Sequence, residues 1–105
     1  MEELEKIKNL TDINLIKSQI ESCNYVIPRL ERKLQRINNC IKHYHAKNLS
    51  SQKRKGIRHK NLEFRYYAEL MTMKKIEYSR TEAELERYKQ TLKAFQEQLQ
   101  KLQQT

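Results

Sequence analysis

One glycine, one proline and no tryptophan occur in these 105 residues. A chain of this length ordinarily carries about seven glycines and about five prolines. Sheet architectures need such residues at their turns, so β-sandwiches, barrels and doubly wound sheets are excluded. A single glycine, Gly56, also cannot build the glycine-rich cradles that hold nucleotide phosphates. No run of about 18 apolar residues is present, and the N-terminus MEELEKIK is acidic rather than signal-like. These features predict a soluble chain with no leader, no membrane span and no membrane partner. Only two cysteines occur, Cys23 and Cys40. On one helix they would stand roughly 26 Å apart, beyond disulfide reach. They read as small apolar thiols of a reducing compartment, which predicts an intracellular protein, cytoplasmic or nuclear.

What the sequence does have is helical periodicity. Ile13, Ile16, Ile20, Cys23, Ile27, Leu30, Leu34, Ile37, Ile41 and Tyr44 follow one another at spacings of 3 and 4. A repeat near 3.5 residues is the pattern of a coiled-coil seam. Thr11 and Asp12 supply side-chain oxygens suited to an N-cap. Pro28 removes one backbone donor and crowds the carbonyl of Asn24. The seam keeps its phase through it, which favours a kinked continuous helix; a break there would give a three-helix bundle. A second repeat runs Phe64, Tyr67, Met71, Lys74, Tyr78, Thr81, Leu85, Tyr88, Leu92, Phe95, Leu99 and Leu102, with Lys74 and Thr81 as its polar members. Lys74 can lay its stem on the seam and send its ammonium to water.

The segment Asn48–Asn61 between the repeats holds the only glycine, and a reversal there places the two seams face to face. Layers pairing Tyr44 with Phe64, Ile41 with Tyr67, Ile37 with Met71, Leu30 with Tyr78, Cys23 with Leu85 and Ile13 with Phe95 then stay in step. The predicted fold is all-α: one domain, an antiparallel coiled-coil helical hairpin. Its parts are a short helix over 2–10, helix A over 12–46 with a kink near Pro28, a basic loop over 47–60 and helix B over 61–103.

Two helices bury one stripe each and leave much apolar surface wet. Leu62, Tyr66, Leu70, Met73 and Ile76 lie off the main seam at helical spacing, so the start of helix B is apolar on two faces. These five residues are the expected protein interface, through which the hairpin packs into a helical bundle with itself or with another helical subunit.

Charge is concentrated in the middle of the chain. Of a net +9, residues 1–28 contribute three basic groups against five acidic, residues 29–60 eleven against Glu31 alone, and residues 61–105 eight against seven. Lys53, Arg54, Lys55, Arg58, His59 and Lys60 fall in the loop, and Arg29, Arg32, Lys33, Arg36 and Lys42 flank it on helix A, with Arg32 and Arg36 the favoured contacts there. A cationic tip of this kind suits an anionic partner, with DNA or RNA leading, bound through its phosphates without sequence readout.

Catalytic chemistry is not indicated. No glutamate precedes a histidine at the metal-bundle spacing, and His43 and His45 would point about 200° apart on a helix. Ser50 and Ser51 near His59 have no local carboxylate to orient a triad. The sequence therefore predicts no catalytic residue, metal ligand, cofactor or small-molecule substrate. It points to a non-enzymatic assembly subunit with a basic tip; the alternative is a sequence-nonspecific nucleic-acid-binding protein acting through residues 29–60.

Overall fold

The computed structural model describes the backbone of residues 2–53 and 59–104 and the side chains of residues 3–50 and 62–104. Three helices account for nearly all of it: α1 (Glu2–Lys8), α2 (Ile13–Lys53) and α3 (His59–Gln103). α1 closes with turn bonds from Asn9 N to the Lys6 carbonyl at 3.2 Å and from Leu10 N to the Ile7 carbonyl at 3.1 Å. Asp12 then starts α2. Its Oδ1 accepts from Asn14 N at 3.0 Å and Leu15 N at 3.2 Å, so two amides of the first turn gain a partner.

α2 is unbroken across Pro28. The missing donor interrupts one rung of the ladder without ending the helix. The boundaries near the reversal differ from the expected ones: α2 does not stop at Ala46 but continues to Lys53, and α3 begins at His59. No glycine or proline lies between residues 47 and 53 to stop the helix. A side-chain bond also holds this stretch, because Asn48 Nδ2 donates to the Phe64 carbonyl at 2.9 Å and the Asn48 side chain is buried.

The chain divides into two compact units, residues 1–31 with 83–105 and residues 32–82. In the first, the core gathers Ile7 of α1, Ile16 of α2 and Phe95 of α3, with Leu4, Leu10, Ile20, Ala94, Leu99 and Leu102 packed around them. Ile16 is wholly buried. α1 thus serves as a third wall over a seam that two helices alone would leave open. Gln98 ties it down, its Nε2 donating to the Leu10 carbonyl at 2.7 Å. In the second unit α2 and α3 run side by side in opposite senses, Asn48 reaching Phe64 and the Tyr44 ring lying against Tyr67.

The register is displaced by one seam step from the expected layers. Tyr67, expected opposite Ile41, lies against Tyr44 with ring centroids 6.3 Å apart. Phe95, expected opposite Ile13, shares its cluster with Ile16. A shift of three residues keeps apolar rows facing, so spacing alone could not choose between the two registers. Burial shows which row of α2 goes deepest. Ile16, Cys23, Leu30 and Ile37, seven residues apart, are buried, whereas Ile20, Ile27, Leu34 and Ile41 are half-buried.

Ile16→Ala should lower unfolding free energy by about 2–5 kcal/mol, the usual cost of emptying a core site. Leu62→Ala, on an exposed side chain, should stay within about 0.5 kcal/mol. Urea titrations followed by far-UV circular dichroism measure both, and equal losses would contradict the burial described here.

Candidate interaction surface

Residues 32–82 form the unit that holds every residue singled out by the sequence as a candidate site. Among its described residues Ile37 is the one fully buried apolar side chain, accompanied by the polar Asn48 and Thr81. A two-helix contact explains this: each helix turns one stripe toward the other, and no third helix among the described residues of the unit covers the rest. Lys74 occupies a seam position where an apolar residue would bury more. Its ammonium lies 3.2 Å from Glu77 Oε2, and that bond and charge hold the Lys74 pKa above the usual lysine value.

Most of the apolar groups left over lie on α3. Leu62 is 67% exposed, Tyr66 58%, Met73 66% and Ile76 48%, with Leu70 half-buried among them. Apolar side chains scattered singly on a surface are ordinary, but five at helical spacing on one element form a stripe. Leu49 and Phe64 in the same unit are also exposed. The five residues expected to form a protein interface are therefore accessible.

Four aromatic rings cross from one helix to the other beside this stripe. His43 and Tyr44 have centroids 5.8 Å apart, Tyr44 and Tyr67 6.3 Å, and Tyr66 and Tyr67 5.3 Å in an edge-to-face arrangement. Edge-to-face pairs gain from the opposed quadrupoles of the rings. The inner two, Tyr44 and Tyr67, are half-buried, and the outer two are exposed. Sequence periodicity places Tyr44 and Tyr67 on the seams but does not reveal that their neighbours His43 and Tyr66 extend the row.

Of the basic residues proposed for anion binding, Arg32 and Arg36 are exposed on α2. Arg36 lines an open groove together with Lys33, Ile37, Cys40, Lys74 and Glu77. Three cations thus meet one carboxylate there. Lys53 ends α2, and His59 and Lys60 begin α3. The side chains of Lys53, Arg54, Lys55, Arg58, His59 and Lys60 lie outside the described residues. Lys33 was expected only as one of the cations flanking the loop. Asn48 is a contributor that the sequence does not reveal, because it fell in the expected loop.

Among the described residues no group of three His, Cys, Asp or Glu side chains is placed to hold a metal ion. No helix among them is long and apolar enough to cross a membrane. The chain matches no known family model, no curated protein and no solved structure.

The two thiols differ in surroundings, and this is testable. Burial pushes the Cys23 thiol up from its ordinary pKa, while Cys40 is half-buried at the edge of the groove. A raised pKa and restricted access both lower the thiolate available to react. Under native conditions a disulfide reagent should label Cys40 first, with Cys23 following only as the protein opens. Peptide mapping after brief labelling checks this, and equal labelling of both would refute it.

Proposed function

We propose that the chain is a non-enzymatic assembly module: an antiparallel coiled-coil hairpin that packs the apolar stripe of α3 against another helical surface, supplied by a second copy or by a partner subunit. The observation that carries this reading is an imbalance within one unit. Among the described residues of 32–82 one apolar side chain, Ile37, is buried, while Leu62, Tyr66, Met73 and Ile76 are exposed together. Covering such a stripe removes apolar surface from water at roughly 25 cal/mol per Å². A helix apolar on two sides is stable with neighbours on both.

A second reading has its own support in the charge. Residues 29–60 carry eleven basic groups against one acidic. That density suits sequence-nonspecific contact with the phosphates of DNA or RNA. The compartment for either role is intracellular, cytoplasmic or nuclear, as the reduced cysteines suggest.

The two readings respond to different substitutions. Met73→Glu with Ile76→Glu, both on exposed positions, should abolish the added mass seen by sedimentation when the chain assembles alone or with a subunit from its source. Helix content should not change. Charge reversal at Lys53, Arg54 and Lys55 should leave that mass alone and instead remove a salt-sensitive gel shift of duplex DNA or RNA. An assembly that survives the double variant defeats the first reading, and full binding at high salt defeats the second.

A further inference from the structure

Tyr44 and Tyr67 are the seam residues that meet across the two helices of residues 32–82. Antiparallel helices in contact turn in opposite senses when viewed along one axis. The residue preceding a seam position on α2 and the residue preceding its partner on α3 therefore lie on the same side of the pair. Those residues are His43 and Tyr66, and the row of rings that links them runs across that side. Steps of three and four along α2 from His43 reach Arg36, Arg32 and Lys47, all exposed. The same steps along α3 from Tyr66 reach Leu62, Leu70, Met73 and Ile76. The groove lined by both Arg36 and Glu77 opens on this side too, since Glu77 lies three turns beyond Tyr66. One face of the unit thus carries a cationic stripe on α2 beside an apolar stripe on α3.

We infer that this face binds an acidic amphipathic helix of a different protein, whose apolar stripe covers Leu62, Tyr66, Met73 and Ile76 and whose carboxylates meet Arg32, Arg36 and Lys47. The inference rests on the assembly reading above and names the chemistry of the partner. Charge decides against a second copy. Residues 32–82 hold fourteen basic and four acidic groups, so two such faces repel each other. The face itself contributes Glu63, Glu69 and Glu77, still outnumbered by Arg32, Lys33, Arg36, Lys47 and Lys74, and Glu77 is already engaged by Lys74. A phosphate backbone would satisfy the cations but leave Leu62, Met73 and Ile76 uncovered. Only a partner that is both acidic and apolar answers both stripes. Exposed charge pairs give modest affinity each and mainly steer association and select the partner.

The test uses three synthetic amphipathic peptides, each about six turns long with Leu and Ile along one side and Glu, Gln or Lys on the flanks. Binding to the full chain is followed by fluorescence anisotropy, and the site is located through the Met73 methyl resonance. The Glu peptide should bind, shift that methyl and weaken as salt rises. The Gln peptide should bind at least about tenfold more weakly and the Lys peptide not at all, the combined effect of several exposed pairs. Combined reversal of Arg32, Arg36 and Lys47 to Glu should cost the Glu peptide at least about tenfold as well. Equal binding of the Glu and Gln peptides would overturn the acidic partner while leaving the assembly reading intact. A homodimer of the pure chain that is lost on Met73→Glu would do the same. Displacement of the Glu peptide from the Met73 methyl by duplex DNA would assign the face to nucleic acid and overturn the inference. If no peptide binds and Met73→Glu with Ile76→Glu alters no assembly, the inference and the assembly reading fall together.

Discussion

Two helices in contact can hide one stripe each, and the described structure follows from how that shortage is met. In the unit made of residues 1–31 and 83–105, α1 supplies a third wall, and Ile7, Ile16 and Phe95 close into a core. Among the described residues of 32–82 no third helix is present, and Ile37 is left as the one buried apolar side chain. The same heptad spacing runs through both, yet the burial differs. The difference comes from the number of walls, and the polar seam members Lys74 and Thr81 of residues 32–82 add to it.

Polar side chains settle what the apolar spacing leaves degenerate. A heptad seam can slide by one step of three or four and still present apolar rows to each other. Asn48, bonded to the Phe64 carbonyl, and Gln98, bonded to the Leu10 carbonyl, each tie α3 to one particular position along the chain. A buried amide left without its partner would cost about 1–3 kcal/mol, which is enough to select a register. Thr81, also buried, and Lys74, held by Glu77, interrupt the α3 seam in its middle. They weaken the apolar contact where residues 32–82 are already short of core.

Recognition draws on the same shortage. An apolar stripe becomes available for recognition when its own fold does not cover it. The neighbouring cations give that stripe a preference, because the cost of facing like charge discriminates among apolar partners more sharply than apolar area does. Helical phase places Arg32, Arg36 and Lys47 on the side where Leu62, Tyr66, Met73 and Ile76 are exposed, and the ring row from His43 to Tyr66 joins the two stripes.

The sequence by itself determined the helical class, the two long helices, the cap at Asp12 and the accessible stripe at residues 62–76. All of these are local properties, written in periodicity, in one short side-chain oxygen and in the scarcity of glycine and proline. Only tertiary structure decided that α2 runs on to Lys53, that Tyr44 meets Tyr67 and Ile16 meets Phe95, and that α1 covers a core. It alone also brought Lys33, Arg36 and Lys74 to one groove. These depend on which residues distant in the chain come together. A repeat that matches itself at several offsets carries no information about that choice until buried amides and a third wall select one.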